Sequence, residues 1–226
     1  MRDHDGQKHD TLPDEASAQP LGRADWIEAA LVLLAAEGVE AVRITRLAER
    51  LGVTRGSFYW HFKHRDDLLA ALIKAWEKRN TGAMIEAIED KDDLIDAVLA
   101  LFELWMADEP FAPRLDAAMR DWARRSDKVG RTVKRADNKR LTAIAKAFEA
   151  AGFEPTEAFI RARILYFTQV GYYALDVHET LAKRTSYAAA YIKGFTGLEL
   201  DPERAARNRR HLMQMRRASD DKTSNA

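Results

Sequence analysis

Apolar residues recur along this chain at helical rather than alternating spacing almost throughout, so the pattern predicts α-helices and no strands. Ile27, Ala30, Leu31 and Leu34 fall at i, i+3, i+4 and i+7. They form one face of a first helix that ends at Gly38, a residue suited to a left-handed C-terminus. Ile44, Leu47, Ala48 and Leu51 repeat the spacing and stop at Gly52. A short third helix starts after Thr54, a good N-cap residue, and carries Phe58 and Phe62 on one side. A fourth has Asp66 and Asp67 at the positive end of its dipole, then Leu68, Leu69, Leu72, Ile73 and Trp76. Further helices are predicted near 92–107, 111–126, 128–151, 155–178 and 185–199, punctuated by Pro110, Pro113, Gly152, Pro155 and Pro202. The expected fold class is all-α: a disordered tail over 1–22, a three-helix helix-turn-helix head over 23–68, and a larger antiparallel helical body over 69–200. The chain closes on a basic stretch over 201–226, a final helix that frays.

The 226 residues suffice to bury a proper core. There is no cysteine, which excludes disulfides, thiolate metal sites and a cysteine nucleophile and suits a reducing, cytoplasmic setting. The first twenty residues are polar and acidic and lack the apolar centre of a secretory signal, and no apolar run reaches the length of a membrane span. Thirty-six basic and thirty-six acidic side chains cancel, which argues against a general polyanion binder. Their distribution changes that picture. Between Ala41 and Arg65, Arg43, Arg46, Arg50, Arg55, Lys63 and Arg65 face Glu49 alone, so six against one leaves +5, a patch of the size nucleic acid requires.

The patch coincides with a motif. Leu47-Ala48-Glu49-Arg50-Leu51-Gly52-Val53-Thr54 has a small Ala48 where two helices can cross, Gly52 for the tight turn and Val53 to plug it. With Thr54 capping the next helix, Arg55, Gly56 and Ser57 lie in the turn that meets base edges in a major groove. The adjoining segment, Phe58-Tyr59-Trp60-His61-Phe62-Lys63-His64-Arg65-Asp66-Asp67-Leu68-Leu69, closely resembles the signature of TetR-family transcription regulators. The resemblance covers about Ala24 to Leu72. It implies that Arg55, Gly56 and Ser57 read bases, with Thr45 a further reader, and that Tyr59, His61 and Arg65 hold phosphates. Tyr, His and Arg donors do so without reading sequence. Thr54, Trp60 and Lys63 complete the DNA-binding candidates, Trp60 either packing on the fourth helix or leaning on the DNA backbone. Arg43 and His64 stand where the family places better N-caps, which puts cap geometry in doubt and leaves DNA-reading groups intact.

In the body, Ile164 to Leu175 is apolar around almost the whole helix, so a second face needs a cover. The resemblance implies a homodimer in which this helix and the next, with Tyr187, Ala188, Tyr191, Ile192 and Phe195, form a two-fold four-helix interface, Gly171 allowing close approach. Two heads would then meet two half-sites of a palindromic operator on double-stranded DNA. Pocket candidates for a small-molecule effector are Phe102, Trp105, Met106, Arg120, Trp122, Tyr166 and Gln169, which combine aromatic bulk with a few polar groups. Aromatics at this spacing also serve as plain core. Asp116, Arg120, Asp121 and Arg124 can pair on a helix surface.

The sequence therefore reads as a DNA-binding transcription regulator, a repressor released by a small molecule, with no cofactor, no metal and no membrane partner expected. A helical adaptor without a DNA target is the alternative. An all-helical enzyme is a weaker one, since no catalytic or metal-ligand spacing is present.

Overall fold

The computed structural model describes residues 21–107 and 110–224 of the chain, with side chains described up to residue 215. Residues 1–20 of the tail expected over 1–22, with its acidic residues, lie outside the described residues. All regular elements among the described residues are helical. The head comprises α1 (Arg23–Glu37), a single 3-10 turn (Val39–Ala41), α2 (Ile44–Leu51), α3 (Arg55–Phe58) and α4 (Arg65–Trp76). Gly52 takes φ 68°, and its backbone N–H closes α2 onto the Ala48 and Glu49 carbonyls, which is why the turn into α3 needs glycine. The spacing read from the sequence places Trp26, Leu34, Leu47, Phe58, Phe62, Leu68 and Leu72 in one core.

Two cap expectations are corrected. The Thr54 side chain makes no cap bond, and Ser57 Oγ instead donates to the Thr54 carbonyl at 2.6 Å. His64, expected to be a weak cap, does cap α4, its Nδ1 accepting from Asp67 N–H at 3.2 Å.

Beyond Trp76 the connecting helix does not stop. It passes through a π-helical turn (Glu77–Gly82) into α5 (Ala83–Glu89), neither of which the hydrophobic pattern announced. The body continues with α6 (Leu94–Met106), α7 (Pro113–Ala123), α8 (Asp127–Ala150), α9 (Pro155–Ala174), α10 (Leu181–Ser186), α11 (Ala188–Thr196) and α12 (Pro202–Ser224). One helix expected over 185–199 is thus two, broken at Tyr187. Proline at the first position of α7 and of α9 costs no hydrogen bond there and presets the helical φ.

The head core does not end at residue 68. Leu115, Met119 and Trp122 of α7 and Val129, Val133 and Ala136 of α8 join the same buried cluster as Trp26 and Trp76. A second cluster fills the rest of the body between α5, α6, α8, α9 and α11. The segment beyond Asp201 is no tail: α12 docks on α6, with Leu212 buried, Asn208 Nδ2 donating to Glu103 at 2.6 Å and Arg204 paired with Asp93 and Asp96.

Candidate nucleic-acid interface and body pocket

The helix-turn-helix presents one outward face. Thr45 on α2 and Thr54, Arg55 and Gly56 at the start of α3 are exposed, as are Tyr59, Trp60 and Lys63 just beyond it. Ser57 and His61 are half-buried. A methyl group added at Gly56 would meet nothing closer than the Thr54 hydroxyl at 3.5 Å, so the bare backbone there answers to no neighbour within the head. Trp60 is 87% exposed, so of its two readings the packed one is not what the structure holds. Phe58 and Phe62 are core, their rings stacked at 5.3 Å.

Arg65 is different. Its Nε and one terminal nitrogen donate to the Val42 and Val39 carbonyls, each at 2.6 Å, which ties α4 to the loop between α1 and α2. The expected phosphate contact is therefore a group already engaged as an internal brace. Arg46 is also engaged, by a bidentate pair with Glu37 at 2.8 and 2.9 Å. Arg50, Arg55 and Lys63 remain exposed and without an acidic partner among the described residues.

In the body, four of the seven expected pocket residues come together. Phe102, Trp105, Met106 and Gln169 line a small cavity of about 40 Å³ between α6, α9, α10 and α11. Leu165, Thr168, Tyr172, Arg184, Ala188, Tyr191 and Phe195 complete the wall. Tyr172 donates to Glu179 at 3.2 Å and its oxygen lies 2.8 Å from that of Tyr191. Burial and then these two bonds push the Tyr172 phenol above its usual range. Gln169 Nε2 is buried without a well-formed hydrogen bond, the Tyr173 hydroxyl lying beside the carboxamide.

Arg120, Trp122 and Tyr166 belong elsewhere. Trp122 packs in the layer between α7 and the head, because α7 turns that face toward α1. Arg120 and Tyr166 enter a buried polar network that joins α4, the π turn, α7, α8 and α9. Asp116 accepts from Arg140 at 2.9 Å and from Trp76 Nε1 at 2.9 Å, and Arg140 Nε reaches Thr81 at 3.0 Å. The Tyr166 hydroxyl accepts from Arg120 and Arg140 at 2.9 and 3.0 Å and donates to Asp137 at 2.7 Å. Asp116 and Arg120 thus pair as their spacing suggested, but inside the protein rather than on its surface. Asp121 pairs with Arg125, not Arg124. Burial alone would raise the Asp116 carboxyl, but Arg140 and Arg120 outweigh it and hold it below the usual carboxylate range.

The expected dimer face also shifts. Ile192 is fully buried in its own subunit and Tyr191 and Phe195 face the pocket, so they are not available to a second copy. The outward apolar stripe is Ile160, Ile164 and Phe167 on α9, each about half exposed, continued by Gly171. On α11 it is the small residues Ala189, Ala190 and Gly194 that are exposed. Among the described residues no helix is long and apolar enough to cross a membrane, and no group of three His, Asp or Glu is placed to hold a metal.

Comparison with known proteins bears on the head and body separately. Residues 27–72 match the family model described as "Bacterial regulatory proteins, tetR family". The tetracycline repressor protein class C of Escherichia coli is 49% identical over 55 residues, 24% of this chain and 25% of that protein. The first curated relatives are matched over only a quarter to a third of their length. Over the whole fold, the reduced form of Escherichia coli NemR superposes with a TM-score of 0.60 at 16% identity, covering 77% of this chain and 97% of that one. A structure titled as the superantigen PfiT shares the fold at a TM-score of 0.51 and 22% identity, covering 65% and 81%. Such identities show the fold, not the activity. The head that residues 27–72 build is thus similar to that of the tetR family of bacterial regulatory proteins, and the whole chain shares a fold with solved structures titled as regulators.

Proposed function

We propose that this chain is a sequence-specific DNA-binding transcription regulator, a repressor that holds a palindromic operator as a homodimer and releases it when a small molecule enters the body. The observation that carries the reading is the outward face of α3 and its flanks. Arg55, Gly56, Tyr59, Trp60 and Lys63 are exposed together around a glycine turn, on the segment that matches a tetracycline repressor and the tetR-family model of bacterial regulatory proteins. Bases are read by Thr45, Thr54, Arg55, Gly56 and Ser57, while Tyr59, Trp60, His61 and Lys63 hold the backbone. Arg65 supports this face from within.

The head occupies residues 23 to about 76, since α4 and its packing carry past the boundary first expected at 68. The α9 stripe with the small face of α11 makes the interface, because about half the surface of three large apolar side chains is left uncovered in one copy. Ligand preference for one body conformation changes the separation of the heads, and operator affinity falls by the same factor that DNA weakens ligand binding. The pocket and the DNA face account for the chain without an enzymatic step.

The test is selection of bound fragments from random DNA, followed by titration at several salt concentrations. A palindromic consensus and a steep linear fall of log affinity with log salt are expected. Phe167→Glu is expected to give a folded monomer in light scattering with operator affinity lost, whereas recovery of no sequence preference by the wild type overturns the reading.

A further inference from the structure

Several cavities and clusters compete for a role, and their free polar groups separate them. The cleft between α6 and α12 is wider, but its charges already serve one another through Arg204 with Asp93 and Asp96 and through Asn208 with Glu103. The Asp116–Arg140 network has no cavity of its own. The pocket beside α9 differs from both, because it combines aromatic walls with polar groups that have nothing to bind.

Phe102 lies in edge contact with Tyr191 and with Phe195, centroids 6.2 Å apart in each case, while Tyr191 and Phe195 stack at 5.4 Å. With Trp105 these packed rings make an aromatic wall of the cavity against which a flat ring can lie. Its hydroxyl protons are spent. Tyr172 donates to Glu179, which leaves Tyr191 to donate to Tyr172, and Thr168 Oγ1 donates to the Ile164 carbonyl at 2.6 Å. Two groups remain. Gln169 Nε2 is buried without a well-formed hydrogen bond, and a carboxamide can turn to bring its N–H groups to a ligand oxygen. Arg184 lines the same cavity with its guanidinium 5.2 Å from the centre of the Tyr172 ring, and no carboxylate lies within 4.0 Å of it among the described residues. Glu179, beside the same tyrosine, is engaged by Tyr172 and opposed by Lys183 at 3.7 Å.

We infer that the pocket selects a planar aromatic carboxylate of one or two rings, the ring against the aromatic wall of Phe102, Trp105, Tyr191 and Phe195 and the carboxylate shared between Arg184 and Gln169. The inference rests on the reading of the body as a ligand sensor and adds the charge of the ligand to it. Arg184 sets the sign, because a guanidinium recognises a carboxylate in a bidentate fork that a neutral group cannot match. Gln169 sets the orientation.

Calorimetric titration of the full-length protein with benzoate and 2-naphthoate, each beside its uncharged amide, tests this directly. The acid with the better fit binds at least about ten-fold tighter than its amide, as one charge-assisted bond requires. Arg184→Gln reduces that preference to about two-fold or less, Arg184→Lys restores part of it, and Gln169→Leu weakens acid and amide alike, circular dichroism confirming each fold. Equal binding of acids and amides, absence of binding by all four, or a preference that survives Arg184→Gln overturns the inference. An operator gel-shift on the same samples keeps the two readings apart. Carboxylate binding without DNA release counts against the regulator reading alone, and release by neutral aromatics with no acid preference counts against this inference alone.

Discussion

Two clusters of buried polar groups lie one helical turn apart on α9, and they are built in opposite ways. Around Tyr166 each ionised group has a counter-charge and each donor an acceptor: Arg140 is 1% exposed and meets Asp116, Thr81 and Tyr166, and Asp116 meets Trp76 as well. Around Gln169, three residues on, a buried amide nitrogen has no well-formed hydrogen bond and Arg184 has no carboxylate within 4.0 Å among the described residues. Leaving a buried donor unmade is costly, and what sets Gln169 apart from the equally unpartnered Trp26 Nε1, fully buried in the head core, is that it lies on a cavity wall. The complete cluster is a strut, and it stands where α4 leaves the head and meets α7, α8 and α9. The incomplete one is the proposed receptor. The same contrast recurs in the head, where Arg65 is bonded to two carbonyls and Arg55 faces outward with none.

The contrast breaks most sharply at Asp116. Asp116→Ala strands the Arg140 guanidinium and the Trp76 indole N–H in the interior, and loss of one partner of a buried pair costs about 3–5 kcal/mol. Urea unfolding is expected to show this as a lower midpoint with unchanged slope. Asp116→Leu combined with Arg140→Met is expected to recover most of the loss, because the pair taken as a whole returns little beyond its own desolvation. If the single variant were as stable as the double, the strut would be a surface feature.

The strut also has a pH window. The Asp116 carboxyl is held below its ordinary 3.8, so its contribution is present above that value and is lost as pH falls through the lowered folded pKa. Burial, only partly offset by Arg140 and Arg120, pushes the Tyr166 phenol from 10.0 up to about 12, so its contribution is complete below pH 10 and is lost as pH rises from there toward 12. Melting temperature against pH is expected to fall at both ends. Tyr166→Phe is expected to flatten the alkaline limb and leave the acid one.

How much of this could be read in advance differs between the regions for a physical reason. The head was legible because its helices are short and amphipathic and its one tight turn needs glycine, so period and punctuation coincide at Gly52. The π turn Glu77–Gly82 has no apolar period to betray it. Arg140 sits in a run of Lys, Arg, Asp and Asn that reads as a solvated face, and only the packing of α8 against α7 and α9 shows it to be interior. Trp105 and Trp122 have the same chemistry and the same helical setting, and which of them lines a cavity is decided by the direction in which α6 and α7 turn. On α11 the bulky residues suggested an interface, whereas the fold buries Ile192 and Phe195 within the subunit and turns Ala189, Ala190 and Gly194 outward.

A smaller effect separates the two arginines of the head. Arg65→Ala removes two charge-assisted bonds at a half-buried site and is expected to lower stability by about 1–2 kcal/mol, weakening binding to all DNA sequences alike through a looser head. Arg55→Ala is expected to leave the melting temperature unchanged and to relax preference at one base pair per half-site by about 1–3 kcal/mol. Binding-site libraries read beside melting curves distinguish them. Unchanged relative affinities across the library for Arg55→Ala would remove it from the readers.

The smallest expected effect is the most telling for the receptor. Gln169→Leu keeps nearly the same volume, replaces a buried nitrogen that lacks a well-formed hydrogen bond by a methyl group, and adds apolar surface to a wall already made of Phe102, Leu165 and Phe195. If the carboxamide were a structural group, its removal would cost about 1–3 kcal/mol, as for any satisfied buried amide. Because its nitrogen makes no well-formed hydrogen bond, its nearby polar group being the Tyr173 hydroxyl, the change is expected to be neutral or slightly stabilising, within about half a kcal/mol either way, when measured by thermal unfolding without ligand. The same substitution at a strut position, Asn80→Leu, is expected to destabilise clearly, because Asn80 donates to the Ala112 carbonyl at 2.9 Å and is fully buried. Gln169→Leu melting as low as Asn80→Leu would show that the amide holds the fold together and that the pocket has no polar group to spare for a ligand.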